Sequence, residues 1–158
     1  MMKFAVQLNM LPGGTVSEQF ALAKKIGFDG IEVQGSGLGD VVDEVQKASD
    51  EQSLPVSSIC AGYRGTPLAA DPAERQIALD DIEKLLGFGG KLGCVGLIMV
   101  PIFYGPQIPD LSPWKSFREL ETELFVAQLK QLGPVAQQNN TLILIESLNR
   151  YETHFLNT

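Results

Sequence analysis

Short apolar runs alternate with longer amphipathic stretches along the whole chain, and that alternation limits the fold more than any other feature. Strand-like runs fall at residues 4–10, 30–34, 56–62, 94–100 and 142–147. Four helical patterns separate them. The first opens at Thr15 with Glu18 three residues on, a capping-box signature, and carries Val16, Phe20, Ala23 and Gly27 on one face. The second covers about residues 40–52, with Val41, Val45 and Ala48 as its inner stripe. The third starts at Asp71-Pro72-Ala73-Glu74, an N-cap followed by a first-turn proline. Its buried face is Ala78, Ile82 and Leu85, and Gly87, Gly89 and Gly90 are expected to loosen or end it. The fourth runs over about residues 114–138 with Leu120, Leu124 and Ala127 on one face, and Gly133-Pro134 should kink it.

Strict β/α alternation of this kind gives a parallel sheet with right-handed crossovers. Two closures are open. An eight-unit barrel typically takes about 250 residues, so a chain of 158 residues holds about five eighths of one. An open doubly wound sheet would be complete at this length. Length favours the open sheet; the chemistry of the last segment favours the barrel. The expected fold is therefore α/β, a partial (β/α)8 TIM barrel of about five parallel strands and four helices. Residues 1–158 form a single domain, the N-terminal portion of the barrel.

Composition narrows the partners. At 44% hydrophobic content the chain has enough apolar material for a real core. Twelve basic residues face 19 acidic ones, for a net charge of −7. A duplex binder needs a basic face to displace counterions from phosphate, so no nucleic acid is expected as a partner. Cys60 and Cys94 sit in separate apolar runs, form no CxxC pair, and read as reduced thiols. The N-terminal stretch is too short and too weakly charged for a signal peptide. The longest apolar run, residues 94–103, falls short of the roughly 18 residues that span a bilayer. No membrane association and a cytoplasmic location are expected.

The last 17 residues, LILIESLNRYETHFLNT, carry the chemistry. In a β/α barrel the active site lies where strands end. Leu142, Leu144 and Glu146 alternate onto one strand face, and Ile143, Ile145 and Ser147 onto the other. Two apolar residues beneath a carboxylate suit an interior face with a wet mouth. The plainer reading has Glu146 capping the strand in a solvated loop.

The run Ile26-Gly27-Phe28-Asp29-Gly30-Ile31-Glu32, and above all Ile145-Glu146-Ser147-Leu148-Asn149-Arg150-Tyr151-Glu152-Thr153, resemble the sugar-phosphate isomerase/epimerase superfamily. These are the xylose-isomerase-like barrels that include the ketose 3-epimerases. The resemblance spans the whole chain. It implies that Glu146 is both a ligand of a divalent metal (Mn²⁺ or Mg²⁺, other divalent ions being open) and a catalytic acid/base carboxylate, and that Glu152 helps hold the substrate. Hard cations favour such oxygen ligands, and chelating a ketose through adjacent oxygens acidifies the neighbouring C–H. A glutamate on each face of the sugar then removes and returns the proton. The resemblance also places the remaining ligands, an aspartate, a histidine and a second glutamate, on strands six to eight, which this sequence does not contain. His154, the only histidine, reads as a loop or helix-surface residue and not as a replacement ligand.

Other strand ends supply further substrate-binding candidates. Glu32 alternates with Gly30 and Gln34 and should face the interior, either touching substrate or, on the preferred reading, held there by a lysine or backbone donors. Cys60 ends the third strand, where relatives place a small or thiol side chain against the sugar; a plain core cysteine is the simpler reading. Tyr104 and Trp114 flank the loop after the fourth strand and either face the apolar side of a sugar or pack the loop. Arg64 is a weak phosphate candidate. Gly35-Ser36-Gly37-Leu38-Gly39 follows a strand, but its spacing and position do not match a dinucleotide loop.

The expected activity is divalent-metal-dependent isomerisation or epimerisation of a ketose or sugar phosphate. Apurinic-site endonuclease chemistry and an inositol-type dehydratase or isomerase are the alternatives within the superfamily. A different class of reading makes the chain a non-catalytic, truncated or split half-barrel: negligibly active alone, and either a homo-oligomer or in need of a missing C-terminal half.

Overall fold

The computed structural model describes residues 2–157. Five strands form one sheet: β1 (Ala5–Gln7), β2 (Gly30–Gln34), β3 (Val56–Cys60), β4 (Gly96–Met99) and β5 (Leu142–Ile145). Every pairing is parallel and the spatial order is the chain order, β1-β2-β3-β4-β5. A doubly wound sheet reverses direction at a switch point. No reversal occurs here, so the sheet is an arc of a barrel wall. Helices α1 (Val16–Ile26), α2 (Leu38–Gln52), α3 (Pro72–Leu92) and α4 (Phe117–Gln138) connect successive strands.

The core lies between sheet and helices. Ile31, Val33, Ile59 and Leu97 point from the strands into it and meet Phe20, Ala23, Val45, Ala48, Ile82 and Leu86. The opposite face carries Glu32, Gln34, Ser58, Cys60, Ile98 and Leu144, as the strand register shows. That concave face is polar toward β2 and β3 and apolar toward β5. A register shift between Ile31 and Glu32 inserts Ser57 as a bulge. Its hydroxyl fills the gap by donating to the Ile31 carbonyl at 3.0 Å.

Local signals set several boundaries. Thr15 and Glu18 form the reciprocal capping box of α1. Asp71 accepts from the Ala73 amide, and Pro72 opens α3. Other expectations need correction. The first strand is only Ala5–Gln7, because the chain turns into a 3-10 helix at Leu8–Met10. On α2 it is Val42, not the exposed Val41, that joins Val45 and Ala48 inside.

Helix α3 runs unbroken through Gly87, Gly89 and Gly90 to a left-handed cap at Gly93. Those glycines permit close approach: a Cβ on Gly90 would lie 2.6 Å from the Asn139 carbonyl oxygen at the end of α4. Helix α4 starts later than expected, at a second capping box made by Ser116 and Glu119, and continues through Pro134 to Gln138. Its inner stripe is Glu121, Phe125, Gln128, Leu132 and Ala136. Leu120 and Leu124 are only half-buried and Ala127 is exposed. Two members of the true stripe are polar, which hid it from an apolar-periodicity reading.

Candidate functional site

Glu146 lies one residue beyond β5, yet its amide still donates to the Met99 carbonyl at 3.0 Å. The parallel ladder therefore continues through it. Because Leu144 pairs with Ile98, and Ile98 with Cys60, alternation sets Glu146 on the concave face above Leu144. Its charge is felt there. Burial first, then the carboxylates of Glu32 and Glu146, push the Cys60 thiol up, against a hydrogen bond from Gln34. Burial pushes the Tyr63 phenol up to about 12 against a lowering hydrogen bond at Val100, with smaller contributions from Glu146 and Cys60.

Glu32 sits deeper on the same face, and side chains hold it. Gln7 Nε2 donates to Oε1 at 2.8 Å and Ser58 Oγ donates to Oε2 at 2.7 Å. Among the described residues neither a lysine nor a backbone donor holds it, contrary to the expected partners. Gln7 Nε2 also lies 3.9 Å from Cys60 Sγ. Glu32, Cys60 and Glu146 thus belong to one polar patch running from the floor to the mouth of the arc. Cys60 is half-buried beside charge, which sets it apart from the fully buried Cys94.

The loops at the mouth are tightly built. Tyr63 Oη donates to the Val100 carbonyl at 2.6 Å and accepts from the Val100 amide at 3.0 Å. It ties the loop after β3 to the end of β4. The tips of β2 and β3 nearly touch: a Cβ on Gly35 would lie 1.9 Å from the Ala61 carbonyl oxygen, and one on Gly62 would lie 2.0 Å from the Ser36 amide. This close approach accounts for Gly35 without any phosphate-binding role. Ala61 and Tyr104 hold positive φ, +41° and +64°, a sparsely populated region for non-glycine residues.

The other candidates lie at the rim. Tyr104 and Trp114 are exposed. Lys115 Nζ sits 5.6 Å from the Trp114 ring centroid, and no hydrogen bond among the described residues joins Trp114 to the polar patch. Glu152 is exposed, and its carboxylate accepts from the side-chain Nδ2 of Asn149. Arg64 makes a two-pronged contact with Asp81, Nε to Oδ2 at 2.7 Å and Nη2 to Oδ1 at 2.9 Å, so its guanidinium is already engaged. His154 is no surface histidine. Its Nε2 meets Glu121 at 2.7 Å, its Nδ1 meets the Tyr104 carbonyl at 2.8 Å, and its side chain is 17% exposed.

Sequence reasoning missed Gln7, Ser58, Tyr63 and Glu121. Gln7 had a usable signal, a polar residue ending an apolar strand. Ser58 had none, because the bulge at Ser57 resets the parity of β3.

Among the described residues no group of three histidine, cysteine, aspartate or glutamate side chains is placed to hold a metal ion. The residues present do not fit a complete divalent-metal site, since Glu146 offers one carboxylate where such ions take about six oxygen ligands. A cavity of about 620 Å³ opens beside Val95, Ala136, Thr141 and Leu142, at the start of β5 and away from Glu146. It holds no titratable side chain and is a groove beside an edge strand. No helix among the described residues is long and apolar enough to cross a membrane.

Comparison with known proteins agrees with this geometry. The chain is 33% identical over 159 aligned residues to 3-dehydro-D-guloside 4-epimerase of Escherichia coli (strain K12), covering 99% of this chain and 60% of that protein. It superposes with a TM-score of 0.85 on the crystal structure of 3-keto-D-glucoside 4-epimerase from E. coli, at 28% identity, covering 98% of this chain and 59% of the other. The D-psicose 3-epimerase of Clostridium cellulolyticum H10, solved with D-tagatose, gives 0.79 at 18% identity, with 99% and 56% covered, a likeness of fold alone. The chain thus spans about three fifths of the length of the relatives it matches. The xylose isomerase-like TIM barrel family matches residues 20–158. An arc of parallel strands in chain order with helices on its convex side agrees with that match, and this chain belongs to the xylose isomerase-like TIM barrel family.

Proposed function

We propose that the protein is a sugar isomerase or epimerase that moves a proton at the carbon beside a carbonyl, in a ketose, a keto-glycoside or a sugar phosphate. One observation carries this reading: the ladder extends to Glu146 and sets its carboxylate over the concave face, beside Cys60 and Tyr63. In that position Glu146 serves one face of the sugar carbon, taking or returning its proton there, while a second carboxylate that the described residues do not supply serves the other face. Cys60, kept as a neutral thiol by its surroundings, offers a weak S–H donor to a sugar oxygen. Glu32, fixed by Gln7 and Ser58, forms the polar floor. Glu152, Tyr104 and Trp114 bind the sugar from the rim. The names of the E. coli relatives favour a keto-glycoside within this substrate class.

A divalent ion, Mn²⁺ or Mg²⁺, belongs to the proposal with Glu146 as one oxygen ligand, the other ligands lying outside this chain. The 158-residue chain by itself is therefore expected to turn over negligibly. Unpaired edges at β1 and β5 support a second reading, a half-barrel that acts only with a complementary segment or a second copy. The −7 charge speaks against an endonuclease. Free thiols at Cys60 and Cys94 suit a reducing, cytoplasmic setting.

The test is deuterium wash-in from D₂O at the carbon beside the carbonyl of a ketose or keto-glycoside. It compares the chain alone with the chain fused to the last two fifths of the E. coli relative, each as wild type and E146Q. Wash-in by the fusion, abolished by E146Q, is expected. Unchanged wash-in in E146Q overturns the role of Glu146, and robust turnover by the chain alone overturns the need for further ligands.

A further inference from the structure

Glu121 is 0% exposed, on the inner face of α4, and among the described residues its carboxyl group meets one partner, the His154 ring. The His154 ring is gripped at both nitrogens. Nδ1 lies 2.8 Å from the Tyr104 carbonyl, which only accepts, so Nδ1 must carry a hydrogen. Nε2 lies 2.7 and 2.9 Å from the two Glu121 oxygens, so a proton must also sit between ring and carboxylate. The His154 amide donates to the same Tyr104 carbonyl at 3.0 Å, and the Tyr104 amide donates to the Glu152 carbonyl at 2.6 Å. Thr153 Oγ1 donates to the Ile102 carbonyl at 2.7 Å, and Phe155 packs edge-on against Phe125 of α4. The segment after β5 is thus laid as a short parallel bridge beside the loop after β4, with the hydrogen-bonded Glu121–His154 pair beneath it.

We propose that Glu121 and His154 form a positioning pair, a latch that fixes the 149–152 turn at the mouth of the arc and so sets where Glu152 and Tyr104 stand relative to Glu146. Among the described residues neither latch side chain hydrogen-bonds to Glu32, Cys60 or Glu146; each acts through the backbone of residues 104 and 152–154. The functional half of this inference rests on the sugar-enzyme reading; the latch itself does not. Replacing His154 leaves a buried carboxyl group without its partner, and replacing Glu121 takes the partner from His154 Nε2, so the bridge should loosen in either case.

The experiment uses E121Q, which keeps side-chain shape, H154Q, which replaces the ring by an uncharged amide, and the double variant E121Q/H154Q, which removes both titratable groups. Amide hydrogen exchange in the 158-residue chain is the first readout. The amides of Tyr104, Glu152, Thr153 and His154 should exchange at least tenfold faster in all three variants, with the amides of β2, β3 and β4 unchanged. Unchanged exchange at those four amides overturns the latch, and so does faster exchange across the whole sheet, which would mark a merely structural role. Steady-state kinetics of the fused, active protein is the second readout. Loss of a substrate-binding position raises KM, here by about tenfold with kcat within twofold, whereas simple loss of folded enzyme lowers kcat at constant KM. The latter pattern overturns positioning. If wild type exchanges no deuterium into any sugar, the sugar reading has failed, and the latch is decided by the exchange at the four amides alone.

Discussion

Ser58 donates its hydroxyl to Glu32 at 2.7 Å across neighbouring strands, while Gln7 donates to the other oxygen of the same carboxylate from the opposite side. Three consecutive strands thereby place one charge on the concave floor with both oxygens satisfied. Hydrogen bonds to charged groups contribute about 1.5–3 kcal/mol each, so Ser58→Ala should lower the unfolding free energy by about 2 kcal/mol in urea denaturation. A change below about 0.5 kcal/mol would mean that water replaces the hydroxyl without loss.

Cys60 reports on Glu146. Its thiol is raised above the ordinary value by burial and by the carboxylates of Glu32 and Glu146, so little thiolate exists at neutral pH. Alkylation by iodoacetamide at pH 8 should be slower than that of a free cysteine. It should rise with pH and become faster in E146Q, which removes one of the two neighbouring charges. An alkylation rate that E146Q leaves alone would place the carboxylate away from the mouth.

Tyr63→Phe removes a group that both donates to and accepts from Val100. Two backbone groups at the end of β4 lose their partner, and an orphaned buried polar group costs about 1–3 kcal/mol. A fall of about 2 kcal/mol in stability is expected, measured by chemical denaturation, with the loops after β3 and β4 the first to gain amide exchange.

The Arg64 guanidinium, with Lys84 nearby, holds the Asp81 carboxyl far below the usual carboxylate range. A carboxyl lowered on folding stabilises the folded state above its unfolded value of about 3.9, and that contribution fades as pH falls toward the folded value. Asp81→Asn should therefore lower the melting temperature at pH 7, and the gap from wild type should narrow below about pH 4. The effect is modest, because Arg64 is largely in solvent. A gap that stays constant down to pH 2 would refute the ion pair.

Gly90→Ala tests packing against propensity. Alanine is favoured over glycine inside a helix by about 1 kcal/mol. Yet the new Cβ would press to 2.6 Å from the Asn139 carbonyl oxygen, a backbone atom that cannot swing aside. Net destabilisation is expected in thermal unfolding, despite the better helix former.

Legibility followed the range of the forces involved. The caps at Thr15 and Asp71 were readable because each bonds an amide two or three residues away. The alternation of Leu142, Leu144 and Glu146 was readable because strand side chains alternate with period two wherever the ladder is regular. The same rule failed on β3, where the bulge at Ser57 shifts the count, and only pairing with β2 reveals the bulge. The inner face of α4 was misread because it carries Glu121 and Gln128. Their partners, His154 and the Pro67 carbonyl, lie 33 and 61 residues away in sequence.

By itself, then, the sequence determined the β/α alternation, the helix starts at Thr15 and Asp71, and the face of β5 that carries Glu146, all of which depend on neighbours within a few residues. Tertiary structure alone decided that Glu32 is held by Gln7 and Ser58, and that His154 turns inward to Glu121. The reason is that a polar side chain is stable in the interior only if a partner meets it there, and no local pattern of residues encodes where a distant partner will arrive.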